Sequence, residues 1–250
     1  MIRRLKLIYL NILVALSLYS LVSFVNPFIK NNVQQENHPP VVKIITPKND
    51  DIFESGSQIN YQVSISDKED GDSKYDEINI KEVLLEVRYL ANKSKIPAEL
   101  NKAAQSDPPG LAVIRVSNCF NCHNFNSKSI GPSFYEISKR YSVSPVHTDS
   151  LIKHIREGSS GIWGKEKMPT HPELTTEETK NAVQWIMKHA TDPDVNYYIG
   201  TEGAFRIKPP VTPIQKSVFM LTASYTDHGL KNAPGKQRLK GQDVVFIYNR

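Results

Sequence analysis

The chain has little sulfur. Its 250 residues hold two Cys and four Met. Two Cys cannot supply the second cysteine pair of a four-cysteine zinc site, and neither lies near the N-terminus, where lipidation would need one. Strong charge is also missing. Lys and Arg number 31 against 26 Asp and Glu, giving a net charge of +5 and a pI near 9.0. In the stretch from Ala204 to the end the basic residues show no aromatic interleaving that would suggest nucleic acid as a partner. Hydrophobic residues make up 39%, ordinary for a folded protein. The length fits two or three small domains rather than one.

Both cysteines stand in one stretch, Cys119-Phe120-Asn121-Cys122-His123. C-x-x-C-H is the attachment signature of c-type haem. The two thiols add across the haem vinyl groups, and the next residue is placed to present an imidazole to the iron. The plain alternatives are a chance match, a thioredoxin-like dithiol or half a zinc site. A redox dithiol has no need of the His, and the zinc site lacks its second pair. The motif therefore predicts one covalent haem c, with His123 as its proximal ligand.

A second axial ligand is sought among the four Met. Met1 opens the leader, Met187 shares a helical spacing with Ala182, Val183 and Ile186, and Met220 lies in a strand-like run. Met168 follows the loop Gly158-Ser159-Ser160-Gly161-Ile162-Trp163-Gly164 and precedes Pro169. A following Pro biases it toward an extended conformation. Met168 is the expected ligand, with His147, His154 and His171 as alternatives.

The segment from about Gly110 to Ala190 resembles a small bacterial class I cytochrome c. The matching residues are Cys119, Cys122 and His123, then Gly131-Pro132, then Gly161-Ile162-Trp163-Gly164, then Met168-Pro169. In that family the Pro carbonyl accepts the proximal His Nδ1–H, which the resemblance implies for Pro132. It likewise implies that Trp163 hydrogen-bonds a haem propionate, although plain packing would also account for an indole there. Export across the cytoplasmic membrane follows from the family's attachment machinery.

The flanks read differently. Arg3, Arg4 and Lys6 precede an uncharged apolar run from Leu7 to Phe28, a signal peptide or membrane anchor covering 1–30. It is long enough to span a bilayer, with the bulk of the chain outside. Residues 31–40 read as a linker. Residues 41–100 read as strands: Ile59, Tyr61, Val63 and Ile65 alternate with polar neighbours, as do Val83, Leu85, Val87 and Tyr89. They resemble part of an immunoglobulin-like sandwich. The acidic turn Asp67-Lys68-Glu69-Asp70-Gly71-Asp72 offers oxygen ligands for Ca²⁺, but its spacing is not that of an EF-hand and a solvated turn is expected.

The haem domain is expected over 108–192. Its helices are expected at Leu111 to Asn118, at Phe134 to Tyr141, from a Thr148 cap through Glu157, and from a Thr175–Glu178 capping box to about Ala190. Ile114, Val183 and Ile186 are the expected contacts between first and last helix. Residues 196–250 return to strands. The fold class is thus multidomain: an all-α class I cytochrome c domain flanked by, or inserted into, all-β immunoglobulin-like sandwich segments. Whether the flanks complete one sandwich or form two is open at this level.

From Ala204 onward eight Lys/Arg (206, 208, 216, 231, 236, 238, 240 and 250) stand against Asp227 and Asp243. They form a solvated basic face or one for an acidic partner or polysaccharide. The whole arrangement also resembles the C-terminal part of some bacterial pyrroloquinoline-quinone sugar dehydrogenases. Their propeller does not fit in this length, so the resemblance implies a partner rather than an activity. The expected function is electron transfer on the periplasmic side, membrane-anchored or soluble after signal cleavage, with no catalytic residues. The redox partners would be a periplasmic dehydrogenase, a terminal oxidase or another cytochrome. The alternatives are a haem-based sensor or enzyme, should Met168 not ligate, and a glycan- or partner-binding β-protein carrying a cytochrome.

Overall fold

Strict alternation along residues 58–67 produces the expected strand. In a computed structural model that describes residues 36–91, 93–207 and 217–249, β3 (Gln58–Asp67) buries every second side chain, from Ile59 through Ile65 to Asp67. β3 pairs antiparallel with β1 (Val41–Thr46), with the short β4 (Gly71–Asp72) and with β7 (Glu202–Arg206). A second sheet runs β2 (Ile52–Phe53), β11 (Lys240–Asn249), β8 (Val218–Thr226), β5 (Leu84–Leu90), β6 (Val195–Ile199). β9 (Gly229–Leu230) and β10 (Ala233–Pro234) form a separate small ladder.

Both large sheets thus draw strands from before and after the helical segment. They share one core, in which Ile59, Tyr61, Val63 and Ile65 meet Leu85, Leu221, Tyr225 and Ile247. β8 is buried on both faces, because its outer residues Val218 and Met220 are covered by Ile96, Leu100 and Ala103. Those residues lie on α1 (Ile96–Ala103), a helix the sequence reading assigned to the β-segment.

Four further helices form the middle. α2 (Pro109–Val116) begins with Pro at its first position, where a missing N–H costs nothing. α3 (Phe134–Arg140) opens with a Ser133–Glu136 capping box, and α5 (Thr176–His189) with the expected Thr175–Glu178 box. α4 (Pro145–Glu157) starts a turn earlier than expected. Ser144 is its cap, accepting the His147 N–H, while the Thr148 hydroxyl donates to the Ser144 carbonyl. Gly158 ends it, as expected.

α2 and α5 cross at Gly110, where any Cβ would run into the Asn181 carbonyl and Trp185. Ile114, Ala182, Trp185 and Ile186 form that contact. Val183, expected there, instead packs with Leu151 and Ile152 of α4. Helical 100° steps turn it away from α2. No helix among the described residues is long and apolar enough to cross a membrane. The expected leader and most of the linker, residues 1–35, lie outside the described residues.

Candidate haem-binding site

After α2 the chain turns at Asn118, which takes a left-handed conformation (φ 56°), and enters a single 3₁₀ turn, Cys119–Asn121. The backbone N–H groups of Cys122 and His123 both return to the Cys119 carbonyl, at 3.2 and 3.0 Å. This winding gathers the three motif side chains at one place. Both thiols are free. Burial pushes the Cys119 thiol up to about 12. A redox dithiol needs the opposite, a depressed thiol.

His123 is 8% exposed, and its Nδ1 lies 2.6 Å from the Pro132 carbonyl. A carbonyl only accepts, so Nδ1 carries the proton and Nε2 keeps its lone pair. Burial, and secondarily His171, hold the ring below the usual imidazole value, against the pull of the Pro132 bond. The ring is therefore neutral at pH 7, as a metal-ligating imidazole must be. Gly131 packs onto its edge: a Cβ there would lie 2.6 Å from His123 Cε1. The Gly131 N–H is itself tied to the Cys122 carbonyl (2.9 Å). Phe134 stacks on the imidazole at 5.6 Å and 15°. From Phe134 an aromatic cluster continues through Phe125 to Tyr197 of β6 and Trp185 of α5.

Met168 sits in an extended pairing, as its Pro neighbour predicted. Its N–H donates to the Ser159 carbonyl (2.9 Å), and the Ser159 N–H returns to the Met168 carbonyl (3.3 Å). That clasp ties the methionine loop to the end of α4. Trp163 is half-buried under the Arg140 guanidinium, 4.7 Å from the ring centre, and Arg140 donates to the Ile162 carbonyl (3.1 Å). The Arg140 partnership was not foreseen. Met187 is partly buried against Leu151 and Ile152, and Met220 is in the core. His147 bonds to Ser142 and His171 to Glu173 (2.8 Å).

A family profile described as cytochrome c matches residues 109–190. Cytochrome c-551 of Azotobacter vinelandii is 34% identical over 80 residues, 32% of this chain and 96% of that protein. The chain belongs to the cytochrome c family. Cytochrome c-552 of Hydrogenobacter thermophilus is also 34% identical, over 86 residues, 31% of this chain and 87% of that protein. Cytochrome c-551 of Stutzerimonas stutzeri is 33% identical over 78 residues, 31% of this chain and 74% of that protein. One such domain with one C-x-x-C-H carries one covalent haem c and serves electron transfer. The residues fit that group: two free thiols, a neutral imidazole with an open Nε2, and a glycine edge that leaves the ring room.

The cytochrome domain is seated firmly on the β-sheets. Arg115 of α2 is buried, its Nε 2.9 Å from Asp107 Oδ2, a charge contact rather than an aligned hydrogen bond. Its Nη2 donates to Ser224 Oγ of β8 (2.6 Å). Asp107 also meets Lys240 of β11 at 3.0 Å. Leu84, Val195 and Tyr197 of the second sheet belong to the same apolar cluster as Phe125 and Phe134. The basic tail is accordingly less of a free surface than expected. Lys240 is engaged with Asp107, and Arg238 donates to the carbonyls of Thr226 and Asp227. Lys208, Lys216 and Arg250 lie outside the described residues.

Proposed function

We propose that this chain is a periplasmic electron carrier whose haem iron is ligated by His123 Nε2 and the Met168 thioether. The observation that carries the reading is the His123–Pro132 bond, which fixes the tautomer and leaves the Nε2 lone pair for the iron. Haem c supplies a one-electron change of iron oxidation state. Cys119 and Cys122 hold it, Gly131 and Phe134 fix the imidazole, and the Ser159 clasp fixes the backbone of Met168. Ligation by both His123 and Met168 would leave the iron no position for substrate, and a site so held would act as a carrier rather than a sensor or an enzyme. His/Met ligation raises the potential. That suits transfer from a dehydrogenase toward the respiratory chain, through a terminal oxidase or another cytochrome. A pyrroloquinoline-quinone sugar dehydrogenase is the partner that the arrangement of the segments suggests. The shared core of the two sheets supports an immunoglobulin-like sandwich interrupted by the cytochrome domain.

The test is Met168→Ala. The oxidised protein should lose the weak far-red absorption of methionine–iron bonding, and the reduced protein should gain carbon monoxide binding. Loss of that band in Met187→Ala, with Met168→Ala unchanged, would overturn the assignment.

A further inference from the structure

The inward alternation of β3 ends on a charge. Asp67 occupies the last inward position of the strand and is 6% exposed. Its Oδ1 accepts the backbone N–H groups of Glu69 (2.9 Å) and Asp70 (2.7 Å), while its Oδ2 is buried without a hydrogen-bond partner. The expected solvated turn thus starts on a buried carboxylate, while Lys68 after it is exposed. Asp227, just after β8, is wholly buried. Its Oδ1 accepts from the Gly229 and Leu239 N–H groups, at 3.0 and 2.8 Å. Its Oδ2 accepts from Asn37 Nδ2 at 2.7 Å. Asn37 is 8% exposed, donates also to the Gln237 carbonyl (2.8 Å), and keeps its own Oδ1 buried without a donor. Asp70 joins the group, but its Oδ2 is already taken by the Tyr225 hydroxyl (2.7 Å) and by His228 (3.0 Å).

Two buried carboxylates are thus linked through Asp70, whose N–H donates to Asp67 and whose Oδ2 accepts the His228 N–H beside Asp227 (2.9 Å), and neither has an ion-pair partner among the described residues. Arg238, beside Asp227, spends its donors on backbone carbonyls. Burial, with the charges of Asp70 and Asp227 adding, holds the Asp67 carboxyl above its usual range, although the two backbone N–H bonds pull it down. An unpaired buried carboxylate is costly and is relieved either by a proton or by a cation. A single proton, even one that Asp67 Oδ2–H donates to Asn37 Oδ1, leaves the buried Asp227 carboxylate unbalanced, whereas a divalent cation balances both acids and also takes the free Asn37 oxygen.

We propose that Asn37 Oδ1, Asp67 Oδ2 and Asp227 Oδ2 form a Ca²⁺ site. The donors are all oxygen, mixing carboxylate with amide carbonyl, and they come from the end of β3 and from two irregular segments, before β1 and after β8. That set suits Ca²⁺, which accepts flexible geometry, better than Mg²⁺, which demands a near-ideal octahedron. No three His, Cys, Asp or Glu among the described residues form a metal cage by themselves. The amide of Asn37 is the necessary third donor, and water fills the remaining positions of an ion that takes roughly six to eight ligands. The bound ion would fasten the segment before β1 to the turns after β3 and β8.

The experiment uses the full-length holoprotein, stripped with a Ca²⁺ chelator and titrated with CaCl₂ by calorimetry. The expected result is one Ca²⁺ per chain and a higher unfolding temperature at about 1 mM Ca²⁺, with the haem spectrum unchanged. Mg²⁺ should act more weakly. Asp67→Asn and Asn37→Ala should each weaken Ca²⁺ binding by roughly tenfold or more, while Asp76→Asn, on the exposed side of the same region, should not. Absence of binding in the stripped native protein would overturn the site. So would Asp67→Asn or Asn37→Ala binding Ca²⁺ as the native protein does. If Asp67 is merely a protonated acid, Asp67→Asn will be as stable as the native protein and Ca²⁺ will change neither. Should Asp67→Asn fail to fold, the native titration and Asn37→Ala decide.

Discussion

Gly131→Ala puts a single methyl group against the proximal imidazole. The added Cβ would lie 2.6 Å from His123 Cε1, 3.0 Å from Nδ1 and 3.1 Å from Nε2. Carbon atoms rest at about 3.5–4.0 Å, so ring and loop must separate by about 1 Å. The loop resists, because the Gly131 N–H is bonded to the Cys122 carbonyl. The ring is hemmed in by the stacked Phe134. A retreat of that size takes the 2.6 Å Nδ1–H···O bond to Pro132 outside hydrogen-bond range. Overpacking costs about 1–3 kcal/mol and the lost bond about 0.5–1.5 kcal/mol, so the substitution should destabilise the holoprotein by about 2–4 kcal/mol. Guanidinium unfolding followed at the Soret band measures this. The reduction potential should shift as well, because the Pro132 bond sets the basicity of the imidazole. A loss below about 1 kcal/mol together with an unchanged potential would refute the packing argument.

Two other outcomes follow from the structure. Asp107→Asn leaves Arg115 and Lys240 facing each other without their shared carboxylate, and should cost about 3–5 kcal/mol in urea unfolding. Arg115→Met leaves Asp107 still paired with Lys240 and should cost less. An equal or reversed order would count against the shared-carboxylate account. His189, stacked on Trp185 at 5.0 Å, is held below the usual histidine value by burial first and by Lys188 next. A lowered folded value means that its contribution is complete above the ordinary histidine value of about 6.5 and is lost as pH falls through the folded one. Stability should decline on acidification through that window, and His189→Gln should flatten the decline. An identical pH profile in the variant would remove His189 as a cause.

The parts legible in the sequence were those with local signals. C-x-x-C-H, the two-residue alternation of β3 and the Thr175–Glu178 box all depend on residues within a few positions of one another. Pairings across the chain were not legible: β5 lies beside β6 and β8, more than a hundred residues away along the chain, and nothing in Leu84–Leu90 encodes those partners. Asp67 was misread because a run of acids looks solvated, yet the alternation starting at Ile59 already placed it inward. Arg115 carried a comparable clue, as the one charge in the apolar run from Leu111 to Val116. Thr148 lost its capping role to Ser144 because Pro145 fits the first helical position, a competition of neighbouring start signals.

The cytochrome domain leaves the second sheet after β5 and returns to it as β6, and these strands are hydrogen-bonded neighbours. A domain held at both ends by adjacent strands, with Arg115 set into the platform, cannot swing like a module on a flexible leash. The heading of the domain, and with it of the His123 pocket, is held with respect to the sheets. A redox partner must therefore fit the outline of platform and cytochrome together. The β-sheets would then act as a fence, limiting the sides from which an electron donor or acceptor could draw alongside.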